Sequence, residues 1–213
     1  MTELYLYPIW LRAWHWLNAA LFLTSVVTGV SMHFSLGWLV PFKIAVPVHN
    51  ASGVLLTISW LAFVTGNLVG GNGKHYLVNL RTLPMELLRQ IRYYTYGIFV
   101  GAPHPFHVTA EHKLNALQTL SYVGVMYALM PLLIVSGWAF LLADKLPDTL
   151  LGIGTIWIVA MAHLALSWMM VLFLVVHVYI ITTGETVLTN LKAMVTGWHR
   201  ERGEATGPAD GAG

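Results

Sequence analysis

The sequence contains no cysteine among its 213 residues. This absence excludes disulfides, zinc–thiolate sites and iron–sulfur clusters held by thiolates. It also excludes covalent haem attachment through a Cys-x-x-Cys-His segment. A redox centre in this chain must therefore be held by histidine or methionine.

Charged residues are also scarce. They make up 9% of the chain, against 57% hydrophobic residues, and the mean hydropathy is +0.67. These values lie outside the range of soluble domains and indicate an integral membrane protein. Four stretches are free of Asp, Glu, Lys and Arg and reach the roughly 20 residues that a helix needs to cross a bilayer. They cover approximately residues 14–32, 46–69, 115–142 and 156–182.

The predicted fold class is an all-α, four-transmembrane-helix bundle. The first stretch is too long for a removable signal peptide and lacks its basic leader, so we expect a retained helix. With a cytoplasmic amino terminus, the outer loops hold only Lys43 and Lys145. The other nine basic residues fall on the inner side, which predicts that both termini are cytoplasmic.

One membrane domain is predicted over residues 1–202, with a disordered tail over 203–213. Pro47 is expected to be the first residue of the second helix. The long inner loop contains LPMELLRQIRYY, whose apolar residues recur at helical spacing and predict a short helix on the membrane surface. The segment ETVLTNLKAMVTGWHRE predicts a second interfacial element.

Two histidines interrupt the fourth apolar stretch. His163 and His177 are fourteen residues apart, about 21 Å and close to four whole turns, so both project from one helix face. By topology, His15 enters the first helix on the inner side and His49 enters the second on the outer side. The sequence therefore predicts two pairs at two depths, His15 with His177 and His49 with His163.

Ionisable side chains at membrane depth are costly and indicate function. A haem iron bound by two neutral imidazoles satisfies both members of a pair, so we predict two haems, one above the other. Gly29 and Gly53 lie where a porphyrin needs room. Packing, a non-haem metal or a proton relay are the alternatives.

The other histidines are assigned to the surface. His33 is expected at the membrane–water interface on the outer side of the bilayer. The remaining five lie in predicted inner segments, where HPFH at 104–107 lacks a third ligand for a metal. These five are His75, His104, His107, His112 and His199.

Four segments carry a family resemblance: RAWHW at 12–16, HNASG at 49–53, EHKLNALQTLSY at 111–122 and HVYIITTGET at 177–186. With the H-x13-H spacing of the fourth helix, they resemble the di-haem cytochrome b subunits of bacterial membrane oxidoreductases. That family includes the gamma subunit of formate dehydrogenase and the b-type cytochromes of nickel–iron hydrogenase and thiosulfate reductase. The likeness covers most of residues 8–200.

The resemblance implies the same two ligand pairs, His15 with His177 at an inner haem b and His49 with His163 at an outer haem b. It also implies a quinone, menaquinone or ubiquinone, beside the inner haem at Asn115 and Gln118. Helix capping or packing is the alternative role for these two amides. Three inner basic residues are candidates to pair with haem propionates, namely Arg12, Arg81 and Lys113.

The function implied is electron transfer in the bacterial inner membrane, with no substrate-specific catalytic site in this chain. The expected partners are membrane lipid, an iron–sulfur subunit and a catalytic subunit containing molybdenum, tungsten or nickel–iron, on the outer face. No nucleic acid partner is expected. A stand-alone cytochrome b561-like quinol-linked carrier is one alternative. A haem-free membrane anchor or metal transporter is another.

Overall fold

The computed structural model of the chain describes residues 2–70, 81–102, 105, 115–183 and 186–201. The described part is mostly helical. Its α-helices are α1 (Ile9–His33), α2 (Phe42–Val69), α3 (Leu83–Thr95), α4 (Ala116–Gly124), α5 (Met130–Leu141), α6 (Thr155–Ile181) and α7 (Thr189–Thr196). Its strands are β1 (Thr2–Tyr5), β2 (Thr149–Leu150), β3 (Ile153–Gly154) and β4 (Trp198–Glu201).

Three helical segments of the described part are long and apolar enough to cross a membrane. They are α2, the continuous run Ala116–Leu141 that contains α4 and α5, and α6. These correspond to three of the four predicted crossings. Helix α1 has 25 residues but is less apolar, because it carries Asn18 and several hydroxyl side chains. Its crossing stays a prediction.

The start of α2 differs from the prediction. The helix begins at Phe42, directly after Pro41, and Pro47 lies inside it. Proline lacks an N–H, so Pro47 removes one intrahelical hydrogen bond near the first turn, where few such bonds have yet formed. Pro41 is therefore the proline that marks this helix end, and the prediction from Pro47 was wrong by five residues.

A π-helical turn, Val125–Leu129, joins α4 to α5. The Met130 N–H bonds the carbonyl of Val125, five residues back. In the same register the Met126 carbonyl would accept from residue 131, but Pro131 has no N–H to donate. The indole of Trp60 on α2 supplies the missing donor, at 2.7 Å from the Met126 oxygen. This bond ties α2 to the π turn in the middle of the predicted span.

Close backbone packing joins α1 to α2, α2 to α5 and α5 to α6. Helix α6 makes no comparable backbone contact with α1 or α2 in the described part of the chain. The buried cluster between the helices is apolar and consists of Phe22, Leu56, Phe63, Val125, Met126, Met130 and Met170.

Three members of this cluster occupy a middle layer: Phe22 on α1, Leu56 on α2 and Met170 on α6. Each lies seven positions from a histidine on its own helix. Seven helical residues rise about 10 Å and turn nearly two full turns, so the layer shares the histidine face of each helix. It separates the two histidine depths with apolar side chains.

The two ends of the described chain meet. Strand β1 pairs antiparallel with β4, so the segments before α1 and after α7 lie on the same side of the helices. Gly197 allows this arrangement because its φ is +90° and a Cβ there would lie 2.7 Å from Cε2 of Tyr5. Only glycine fits such a position without strain.

The predicted short helix is observed as α3, and its place on the membrane surface stays a prediction. It exposes Met85, Leu88 and Ile91 while it buries Gln90 and Tyr94 against the rest of the chain. The second predicted interfacial element is split into α7 and β4. The predicted tail at 203–213 lies outside the described residues.

Candidate functional site: two facing histidine pairs

The structure brings the four histidines together as two pairs. The ring centroids of His15 and His177 are 6.2 Å apart, and those of His49 and His163 are 6.3 Å apart. We call His15 and His177 the inner pair and His49 and His163 the outer pair, after the predicted orientation. One ring of each pair belongs to α6. The other ring belongs to α1 in the inner pair and to α2 in the outer pair.

The separation within each pair fits a metal held between two rings. A histidine nitrogen binds a metal at about 2.0 Å and the ring centroid lies about 1.1 Å behind it, so two opposed rings place their centroids about 6.3 Å apart. A direct N–H···N hydrogen bond of about 2.9 Å would bring the centroids to about 5.2 Å. Both observed distances agree with the first arrangement.

The outer histidine on α2 is oriented by a hydroxyl on α1. The Nδ1 atom of His49 lies 3.0 Å from Oγ1 of Thr28. That hydroxyl is 2.7 Å from the backbone carbonyl of Thr24 and 3.2 Å from that of Ser25. The Thr28 hydroxyl donates its one hydrogen to the Thr24 carbonyl, as serine and threonine hydroxyls in helices commonly do, and we therefore assign the Nδ1–H of His49 as the donor to Thr28. This assignment leaves the Nε2 lone pair of His49 available to a metal.

The outer histidine on α6 has the same kind of partner on α5. The Nδ1 atom of His163 lies 2.8 Å from Oγ of Ser136, which itself lies 2.9 Å from the Leu133 carbonyl. By the same argument the Ser136 hydroxyl donates to the carbonyl and accepts from Nδ1–H. Both outer rings are therefore set to offer Nε2.

A glycine follows each of these hydroxyl residues and faces the same ring. A Cβ added at Gly29 would lie 3.3 Å from Cε1 of His49, and one at Gly137 would lie 3.5 Å from Cε1 of His163. At Gly53 the added Cβ would meet no atom of the described residues within 4 Å. The predicted space at Gly29 is thus occupied by the ligand ring itself, whereas the position of Gly53 is open.

Sequence reasoning found Gly29 but missed Thr28, Ser136 and Gly137. The available signal was a Ser-Gly or Thr-Gly dipeptide within an apolar helix, which occurs at 28–29 and 136–137 but also at 52–53 and 65–66. The dipeptide alone does not predict which histidine it contacts, because that contact depends on how the neighbouring helix is rotated.

The inner pair has different surroundings. Nδ1 of His15 is buried and has no hydrogen-bond partner among the described residues. The His177 ring lies against Phe173, with centroids 5.6 Å apart, and 6.4 Å from the ring of Tyr122. One turn before His15, the guanidinium of Arg12 donates to the Val195 carbonyl, and its Nε is buried without a partner in the described chain.

The two predicted quinone residues lie at the start of α4, where they form a capping box. The Asn115 side-chain oxygen accepts from the Gln118 N–H at 2.9 Å, and the Gln118 side-chain oxygen accepts from the Asn115 N–H at 3.0 Å. Asn115 is 2% exposed and also donates to the Tyr94 hydroxyl. The structure therefore gives Asn115 the capping role that the sequence left open as its alternative.

Gln118 differs from Asn115 in two respects. It is half-buried, and its amide nitrogen has no hydrogen bond to any described residue. One turn further along α4 lies Tyr122, the residue that faces the inner ring of His177. The Gln118 amide thus stands on the same helix face as a direct neighbour of the inner pair.

The remaining predicted residues contribute less. Lys113 and four of the loop histidines, His75, His104, His107 and His112, lie outside the described residues. His33 ends α1 and is exposed, His199 lies in β4, and Arg81 stands two residues before α3. No group of three His, Asp or Glu side chains converges within the described ranges.

Comparison with known proteins assigns the chain to a family. The family model described as prokaryotic cytochrome b561 matches residues 6–197, a range that includes both histidine pairs. The chain belongs to this family. The predicted resemblance is thereby confirmed, and membership makes the protein a membrane-associated, haem b-type electron carrier.

A relative of this cytochrome b561-family protein is known in Escherichia coli (strain K12). The protein named "Putative cytochrome YdhU" is 39% identical over 198 residues, which cover 93% of this chain and 75% of the relative. The alignment thus extends well beyond any one helix. Its printed name agrees with the family in describing a cytochrome.

Proposed function

We propose that the chain binds two b haems, the inner one between His15 and His177 and the outer one between His49 and His163. The observation that supports this is the presence of two facing pairs at bis-imidazole spacing, 6.2 and 6.3 Å between centroids. Two protein ligands are too few for a bare transition metal ion, which takes about four or more. They suffice for haem, whose porphyrin supplies the other ligands.

Bound haem supplies reversible one-electron chemistry through its iron. The protein's part is to hold the imidazoles at two depths, about 21 Å apart along α6. The apolar layer of Phe22, Leu56 and Met170 excludes water between these depths. The wide spacing of α6 from α1 and α2 supports room for the two macrocycles in that gap.

We propose that a quinone, menaquinone or ubiquinone, binds beside the inner pair and accepts a hydrogen bond from the Gln118 amide nitrogen. An amide suits this role because it donates a hydrogen bond to the quinone carbonyl without placing a charge at membrane depth. Asn115 positions Gln118 through the capping box, and Tyr94 in turn holds Asn115 at 3.3 Å. Uptake of quinone protons at this end would make the electron transfer charge-separating.

The proposed setting is the bacterial inner membrane, with four crossings and both termini in the cytoplasm. The distribution of basic residues and the pairing of β1 with β4 on one side of the helices support this orientation. The proposed partners are an iron–sulfur subunit and a catalytic subunit at the outer face. The protein would then connect their chemistry to the quinone pool.

The first test is a pyridine haemochrome spectrum with a protein assay on the detergent-purified full chain. We expect two b haems per chain. One haem would contradict the pairing by depth, and none would return the histidines to packing or non-haem metal roles.

A stand-alone carrier fits the cytochrome b561 family about equally well. Purification from native membranes under mild detergent separates the two possibilities. An iron–sulfur protein that co-purifies at fixed stoichiometry supports the partner-linked function. A chain that elutes alone, yet is reduced by quinol, supports the stand-alone carrier.

A further inference from the structure

We propose that Thr28 and Ser136 are positioning residues that lower the redox potential of the outer site by accepting hydrogen bonds from its two ligand histidines. The proposal rests on the haem ligation proposed above. It concerns two hydroxyls whose observed hydrogen bonds are to the histidine rings and to backbone carbonyls.

The surroundings of each contact favour one direction for the hydrogen bond. Thr28 is 3% exposed and Ser136 is 8% exposed, so water does not compete for either hydroxyl. Each hydroxyl hydrogen is taken by a backbone carbonyl, at 2.7 Å for Thr28 and 2.9 Å for Ser136. We therefore assign the proton to Nδ1 of each ring, with the hydroxyl oxygen as its acceptor.

An acceptor at Nδ1–H makes an imidazole a stronger electron donor at its other nitrogen. A more basic ligand stabilises ferric over ferrous iron and lowers the potential, which is one of the levers a protein has over a haem. Two such acceptors act on the outer pair. The inner pair has no matching arrangement at His15, whose Nδ1 is buried and unpartnered among the described residues.

This difference between the pairs shifts the distribution of an electron between the two sites. When the outer site is made harder to reduce, an electron shared between the two sites moves toward the inner pair. The hydroxyls thus favour electron transfer from the outer to the inner side. A direction of flow would in this way be built into α1 and α5.

The test is a spectroscopic redox titration of the purified full chain with Thr28→Val and Ser136→Ala. Both substitutions remove a hydroxyl and keep the side-chain volume nearly constant. The outer component is identified beforehand as the one missing in His163→Ala. We expect its midpoint potential to rise in both variants while the inner component stays unchanged, and we expect Thr28→Ser to restore the original value.

Two matched controls remove a hydroxyl that touches no histidine ring. Thr24 lies one turn before Thr28 and bonds the Ala20 carbonyl, and Ser167 bonds the backbone carbonyl of His163. Thr24→Val and Ser167→Ala should leave both potentials in place. An unchanged outer component in the test variants, equal shifts in the controls, or a joint shift of both components would overturn the proposal.

Loss of the outer haem is also decisive. If Thr28→Val loses one haem and Thr28→Ser keeps two, the hydroxyl is required to orient His49 and the positioning role stands. If Thr28→Ser loses it as well, Thr28 acts by packing and the proposal fails. A wild-type chain with fewer than two haems would instead be a failure of the proposed function, visible before any variant is made.

Discussion

The outer and inner histidine pairs have nearly the same ring separation but are supported differently. Each outer ring is bonded at Nδ1 by a hydroxyl and faces a glycine from a neighbouring helix. The inner rings lie beside aromatic side chains, and His15 has a buried Nδ1 without a described partner. One chain thus holds two histidine pairs of nearly equal ring separation in different polar surroundings, and surroundings of this kind tune a metal that such rings bind.

The largest expected effect is the loss of one site at a time. If the two pairs bind haem as proposed, His163→Ala should remove the outer haem and keep the inner one, because His15 and His177 lie on the other side of the apolar layer. His177→Ala is the reciprocal variant and should leave the outer haem. Haem per chain, measured by pyridine haemochrome, should fall to about half in each. Loss of both haems in either variant would show that the two pairs are not independent.

A smaller effect is expected from crowding an outer ligand. Gly29→Val should displace His49, since even a Cβ would already lie 3.3 Å from Cε1 of that ring. We expect reduced occupancy of the outer haem with the inner haem retained, seen as a changed ratio of the two components in a redox titration. Gly37→Val is a suitable control because its Cβ would meet nothing within 4 Å. An equal loss of the outer haem in both variants would contradict the steric explanation.

The smallest effect is expected at the proposed quinone site beside the inner pair. Gln118→Glu keeps an oxygen for the capping box but removes the amide donor. We expect slower quinol-linked reduction of the haems with both haems and the thermal stability retained. Asn115→Ala, which removes the cap, should instead cost about 1 kcal/mol of stability. Turnover of Gln118→Glu equal to wild type would exclude Gln118 from the quinone site.

Helix geometry explains why the pairing was predictable. The rise of about 1.5 Å and rotation of about 100° per residue fix the depth and face of His163 and His177 from their spacing alone. The only further requirement was that His15 and His49 enter helices of opposite direction. The apolar lengths of α2 and α6 were predicted for a similar reason, with ends within a few residues of those observed.

Other features could not be predicted because they depend on contacts between distant residues. The capping box at Asn115 was one of two open readings, and only the observed start of α4 decided between them. The wrong start for α2 came from two prolines, Pro41 and Pro47, each of which is compatible with an early helix position. The pairing of β1 with β4 joins residues at opposite ends of the chain, for which local pattern carries no signal.

The sequence by itself determined the class of protein and the levels of its candidate ligands, because apolar length and helical period are local properties. Only the tertiary structure decided that α6 is set apart from α1 and α2, that Thr28 meets His49, and that Ser136 meets His163. Those contacts depend on the rotation and spacing of neighbouring helices. In an apolar medium, that rotation and spacing are set by side-chain packing between helices rather than by any residue pattern along one of them.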